Sequence, residues 1–166
     1  MNTAIQRFDP NTVRSQFAIA IKSGLMPKGM TQEQAVVLAM QGNDLGLTWT
    51  QSIRAINVIQ GKPTISSELM RALVFQRLPR AEMTFTETGP TKCTVKARRA
   101  EGQDYTSLMF TVDDAKRAGL MEKDTWKKYP AAMLQARVTS MICRLIFSDV
   151  ILGFYTPDEL GAMETP

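Results

Sequence analysis

The apolar residues of this chain change period once, and that change sets its fold class. Between residues 82 and 110 they alternate, Met83 with Phe85, Cys93 with Val95 and Ala97, and Leu108 with Phe110. Alternation puts each set on one face of a strand. Thr88-Gly89-Pro90 and Glu101-Gly102 supply turn residues between the runs, so a three-stranded antiparallel meander is expected. On either side the spacing is helical. The chain therefore reads as α+β: helices packed around a short hairpin and the meander, with a long basic helix near the C-terminus.

The helical stretches carry start and stop signals. Asp9-Pro10 is an N-cap followed by proline at the first helical position, and the helix it opens is expected to bury Val13, Phe17 and Ile21 and to stop at Gly24. Pro27 to Gly29 reads as a loop. Thr31 with Gln34 is a capping box for a helix with Ala35, Leu38 and Ala39 inside, ended by Gly42 and Gly46. Thr50 to Ile56 holds one or two helical turns. Asn57-Val58-Ile59 and Pro63-Thr64-Ile65 flank a tight Gln60-Gly61-Lys62 turn, which makes a hairpin. Ser66 or Ser67 then caps a helix with Met70, Leu73 and Val74 on its apolar side. Thr111 with Asp114 caps a short helix ended by Gly119, and Pro130 opens the longest helix, reaching about Phe147. Thr156-Pro157-Asp158-Glu159 is a further capping box.

With 166 residues, 44% hydrophobic and 22% charged, the chain can bury one sizeable core or two small ones. One α+β domain is the economical reading. The longest apolar run, Ala35 to Met40, is far too short to span a bilayer. The polar stretch Met1 to Pro10 has no signal-peptide core. Cys93 and Cys143 make no disulfide framework, and a cytoplasmic protein with two half-buried thiols is expected. The absence of histidine excludes Ser-His-Asp and Cys-His catalysis and removes the commonest metal ligand. No cofactor is expected, and no catalytic or metal-ligating residue is assigned.

Charge is spread unevenly. Residues 88 to 148 hold eleven Lys/Arg against six Asp/Glu, whereas the remainder holds nine against ten. A basic second half and a pI near 9.2 suggest an anionic partner, with nucleic acid favoured over an acidic metabolite. Arg137 and Arg144 lie one heptad apart on the long helix, roughly 10.5 Å along its axis and about 20° apart around it. An arginine pair beside an apolar face must meet carboxylates or phosphates, so salt bridges to Asp149 or Glu159 compete with a polyanion for them. Lys123, Lys127 and Lys128 precede the helix start at Pro130, where free backbone N–H groups and lysines favour phosphate. Trp126 and Tyr129 flank that start and are candidates for stacking on a base or sugar. Lys116 and Arg117 extend the patch. Lys92, Lys96 and Arg98 share one strand face, either as a solvated edge or as phosphate contacts.

Two enzyme-like motifs fail on their details. Gly61-Lys62 resembles the end of a P-loop, but Ile56 stands in place of the first glycine and Pro63 in place of the magnesium-binding Ser/Thr. Asp114-Ala115-Lys116 matches part of a metal-dependent nuclease centre only by a spacing that chance supplies, and Asp114 sits where a helix cap is needed.

Taken in order, these motifs resemble the phage RecT/Bet single-strand annealing recombinases. Gly42 to Leu47 with Val58 to Ser66 is similar to the family's N-terminal signature, and Asp114 to Leu120 to its middle block. Trp126, Tyr129-Pro130, Met133-Leu134, Arg137, Arg144 and Gly153 to Leu160 resemble its core helix and following turn. The resemblance implies an ATP-independent protein, not a bond-breaking enzyme, that coats single-stranded DNA and pairs it with a complementary strand. It implies assembly into a ring or helical filament with DNA in a basic groove. The groove positions carried over are Arg137, Arg144 and Trp126, with Lys116 and Arg117 beside them; Lys62 lies in the hairpin of the N-terminal signature. Ala131-Ala132 depart from the basic residues often found after the family's Tyr/His-Pro pair, with Lys127 and Lys128 as replacements. The sequence stops soon after Leu160, where members usually continue, so residues 1–166 read as a single annealing domain without that extension. Exonuclease and single-strand-binding-protein partners are tied to that extension and are not carried over. A bacterial cytoplasm is the implied compartment.

Annealing needs base edges free and backbone charge neutralised, so Lys/Arg contacts with phosphate suit it. Aromatics at 7% offer few stacking platforms. The alternative is a passive single-stranded nucleic-acid-binding module with the same patch and no pairing activity.

Overall fold

The computed structural model describes residues 9–24 and 26–162, the last two by their backbone alone. The polar stretch before Asp9, read above for a leader, lies outside the described residues. The chain divides into two compact units, residues 1–63 and 64–166.

In the first unit, α1 (Pro10–Lys22) opens with the Asp9 carboxylate accepting from Asn11 N–H at 3.0 Å. Of its three expected core residues only Val13 is buried, and Ile21 is exposed. Steps of four residues drift about 40° each, so a helix covered by one neighbour keeps only the first of the three inside. The neighbour is α2 (Gln32–Asp44), capped by the expected Thr31–Gln34 box. α3 (Trp49–Ala55) starts from a second box, Thr48 with Gln51, which sequence reading missed. Gly42 does not end α2. It lies inside the helix, buried, where the α3 residue Ser52 comes so close that no side chain fits. Gly46, at φ 79°, makes the stop.

β1 (Ile56–Ile59) and β2 (Lys62–Ile65) form the expected hairpin. Gln60 and Gly61 both take positive φ, 50° and 76°, the geometry of a two-residue turn that follows strand twist. The boundary between the units falls within β2.

The second unit begins at the end of that strand, where Ile65 N–H donates to the Tyr155 carbonyl at 2.9 Å. Ser66 caps α4 (Ser67–Arg77), which buries Met70, Leu73 and Val74 as read from sequence. β3 (Glu82–Thr88), β4 (Lys92–Arg98) and β5 (Thr106–Thr111) make the antiparallel meander in that order. Phe85, Val95 and Leu108 are in register across it, and a bulge follows Phe85. Thr111 and Asp114 cap α5 (Val112–Arg117). A 3-10 turn at Leu120–Glu122 and α6 (Asp124–Lys128) were not read from sequence. α7 (Pro130–Ile146) packs against β4, β5 and α4, burying Leu134, Val138 and Ile142. α8 (Ser148–Ile151) and α9 (Pro157–Ala162) complete the unit. The α+β class with a hairpin, a meander and a long helix stands as expected. No described helix is long and apolar enough to cross a membrane.

Candidate nucleic-acid interface

An unbroken α7 places Arg137 and Arg144 on one stripe, and the carboxylate at the start of α9 meets both. Glu159 is nearly buried, at 7% exposure. Its Oε1 accepts from Arg144 Nε and its Oε2 from Arg144 Nη2, both at 2.9 Å. Oε2 also accepts from Thr156 N–H at 2.8 Å, which is half of the capping box read from sequence. Arg144 Nη2 donates in addition to the Phe154 carbonyl at 2.6 Å, and its guanidinium stacks 4.1 Å from the Tyr155 ring centre. Burial alone would push the Glu159 carboxyl up; the Arg144 and Thr156 hydrogen bonds and both arginine charges override it and hold it below its ordinary value. The competing reading, a structural salt bridge, is therefore realised for Arg144.

Arg137 is held differently. Its Nη1 is 3.8 Å from Glu159 Oε1, and its guanidinium lies 5.8 Å from the centre of the Phe110 ring. Nε and Nη1 are buried and make no hydrogen bond among the described residues. Two guanidinium groups thus share one carboxylate, which Arg144 holds through two hydrogen bonds and Arg137 only by proximity.

Trp126 requires a correction. It was expected to offer a stacking face, but it is fully buried. α6 turns its ring inward, edge-on to Phe110 at 6.4 Å between centres. It backs the aromatic surface on which Arg137 rests. Tyr129, at 65% exposure, is open at the start of α7, and Lys128 beside it is exposed with no ion pair among the described residues. Lys127 meets Glu122 at 3.7 Å and Lys123 meets Asp158 at 3.5 Å.

The other basic positions are mostly paired. Lys92 meets Glu87 at 2.9 Å, Arg98 meets Glu82, Lys116 meets Asp113 at 3.2 Å and Arg117 meets Asp114. Lys96 and Arg98 both lie over the Tyr105 ring, 4.8 and 4.6 Å from its centre, and the Tyr105 hydroxyl donates to Glu82. The Asp114 carboxylate is taken up by Thr111 N–H, the Thr111 hydroxyl and Arg117, as a cap should be. Lys62 is exposed in the hairpin and belongs to the first unit.

These pairings correct the charge reading. Glu82, Glu87, Asp149, Asp158 and Glu159 stand just outside residues 88–148, and each pairs with a cation inside it; Asp149 takes Arg99 at 2.7 Å. Residues 82–159 hold eleven Lys/Arg and eleven Asp/Glu, and the rest of the chain holds nine against five. Once the pairing carboxylates on its flanks are included, the basic segment is neutral, and the net charge of +4 lies outside residues 82–159.

Sequence reading also missed a groove of about 400 Å³ inside the second unit, between α4, α7 and Phe85 of β3. Arg71 lies in it, 5.6 Å from the Phe75 ring centre and 5.5 Å from that of Phe85. The available signal was Arg71 and Phe75 at helical spacing of four on α4.

No protein-family model matches the chain, and no curated protein matches it either.

Proposed function

We propose that this protein binds single-stranded DNA through its phosphate backbone and pairs it with a complementary strand without ATP. It acts as a homo-oligomer, in the cytoplasm of a bacterial host. The observation that carries this reading is Arg137, a part-buried guanidinium whose Nε and Nη1 have no hydrogen-bond partner among the described residues and whose carboxylate neighbour there, Glu159, is already gripped by Arg144. Those two atoms have no solvent-accessible surface, so a phosphate oxygen meets them only once the side chain swings outward from Glu159. That movement is favoured by relief of unmet donors that cost about 1–3 kcal/mol each. Lys128 and Tyr129 at the exposed start of the same helix extend the contact. Trp126, locked in the core, leaves one stacking platform fewer, which favours a protein that holds backbone over one that sequesters bases. The segments resembling annealing proteins also meet in space, since Arg144 of the helix block binds Phe154 and Glu159 of the turn block.

The test is pairing of two complementary oligonucleotides across a salt series, with light scattering on the same sample. Pairing faster than the protein-free control, weakened by salt and by Arg137→Ala in a folded protein, is the expected result. Binding that slows pairing would identify a passive module instead. Unchanged binding by Arg137→Ala would remove the arginine from the interface.

A further inference from the structure

We infer that the groove between α4 and α7 is a nucleotide site, taking one phosphate on Arg71 and the adjoining base against Phe75 and Phe85. This rests on the single-strand-binding reading and places a contact on a face of α7 that the reading does not use. Ala132, Gln135, Ala136 and Thr139, which line the groove, lie roughly 100–160° around the helix from Arg137.

The case begins with Arg71. Most arginines of the second unit are tied to a carboxylate or a carbonyl, as Arg98, Arg99, Arg117 and Arg144 are. Arg71 makes no hydrogen bond or ion pair among the described residues, and its neighbours are two phenylalanine rings. Glu68, one turn earlier on the rim, makes no salt bridge to it. The rings fix the guanidinium by cation–π attraction without consuming any of its five N–H donors. A planar fork held in place with open donors suits a phosphate or carboxylate oxygen.

The walls narrow the ligand further. The guanidinium lies over both rings, 5.6 and 5.5 Å from their centres, and Phe75, itself exposed, keeps part of its surface open to a ligand. Ala72, Ala132 and Ala136 add little side-chain bulk, which is what keeps the groove open. Gln135 adds an amide, and the Thr139 hydroxyl, which donates to the Gln135 carbonyl at 2.7 Å, still offers an acceptor. An anion site beside an aromatic wall, with a few polar groups and about 400 Å³ of space, matches a group that is charged at one end and planar at the other. A nucleotide of a single strand has that form, and stacking of this kind tolerates any base.

The test is photo-cross-linking of the full chain to a thymidine oligonucleotide carrying 5-iododeoxyuridine, followed by tryptic mapping. Cross-links are expected in the peptides Ala72–Arg77, with Phe75, and Ala81–Lys92, with Phe85. At saturating oligonucleotide they should persist in Arg137→Ala and fall in Arg71→Ala, whose oligonucleotide affinity should drop roughly tenfold. Loss of the tryptic site at 71 puts Phe75 of that variant in the peptide Ala55–Arg77. Phe85→Leu, which keeps most of the volume, should lower the cross-link yield and guards against a misfolded Arg71 variant. Binding by the wild type with no cross-link in either peptide, or with affinity indifferent to Arg71→Ala, overturns this site and leaves the general reading intact. Displacement of the oligonucleotide from these peptides by an acidic peptide but not by excess thymidine oligonucleotide assigns the groove to protein and also overturns it. Failure of the wild type to bind any oligonucleotide at low salt sinks both.

Discussion

Arg144 grips Glu159 with both arms of its fork, Nε on Oε1 and Nη2 on Oε2, each at 2.9 Å. The pair ties the end of α7 to the start of α9, and Arg137 approaches the same carboxylate from one heptad earlier. Replacing Glu159 by Gln leaves two part-buried cations without a counter-charge. We expect a loss of about 2–3 kcal/mol in urea unfolding, somewhat below the cost of breaking a fully buried pair because Arg144 keeps part of its surface in water. Single-strand affinity should move the opposite way. The carboxylate competes with phosphate for Arg137, so Glu159→Gln should bind an oligonucleotide more tightly while folding less stably. A fall in both quantities would mean that the arginine stripe is purely structural.

The same carboxylate sets an acid limit. Its folded-state value lies below the ordinary 4.5, so its ionised form is favoured by folding. That contribution is complete above the unfolded value and is lost as pH falls through the lower folded one. Asp149, held down by its hydrogen bond to Arg99, and Glu82, held down by Arg98 and Tyr105, act in the same direction. Thermal midpoints should therefore be steady from pH 7 to about 5 and then fall steeply below about 4.5. Glu159→Gln should begin lower and show a shallower acid limb, which a series of melts would show directly.

Trp126 supports from within and does not touch the ligand in our reading. Trp126→Phe leaves a cavity beside Phe110, and we expect a cost of about 1–3 kcal/mol. Oligonucleotide affinity, measured where the variant is fully folded, should stay within about twofold of wild type, since a twofold change is well under 1 kcal/mol. A Trp126→Phe variant that folds normally but loses tenfold in affinity would restore it to the interface.

Much of the fold could be read because its signals are local. The Asp9-Pro10 start, the Thr31–Gln34 and Thr111–Asp114 boxes, the Gln60-Gly61 turn and the alternation of β3 to β5 each need only a few neighbouring residues. The site was less legible because it depends on partners distant in sequence. Glu82 pairs with Arg98 and Asp149 with Arg99, so a charge count over any one window misstates what is left uncompensated. Trp126 was misplaced for a related reason. An aromatic beside two lysines looks like a surface feature until the short helix α6 turns Trp126 inward and Lys127 and Lys128 outward. Arg71 was passed over because its meaning depends on Phe85, which comes from another element.

Gly42 shows the same limit and gives the sharpest stability test. In sequence it looks like a helix stop, but it is a buried contact point where α2 and α3 touch. A Cβ built there falls 1.8 Å from Ser52 Oγ and 3.2 Å from its Cα. The Ser52 hydroxyl is anchored by donating to the Thr48 carbonyl at 2.7 Å, so it gives way only by breaking that bond or by moving α3. In an exposed helix interior, Gly→Ala would gain about 0.5–1 kcal/mol. Here overpacking should reverse the sign and cost about 1–3 kcal/mol. Gly42→Ala should lower the urea midpoint, and adding Ser52→Gly, which removes the opposing side chain, should recover most of the loss. A stabilising Gly42→Ala would show that the two helices do not meet at this point.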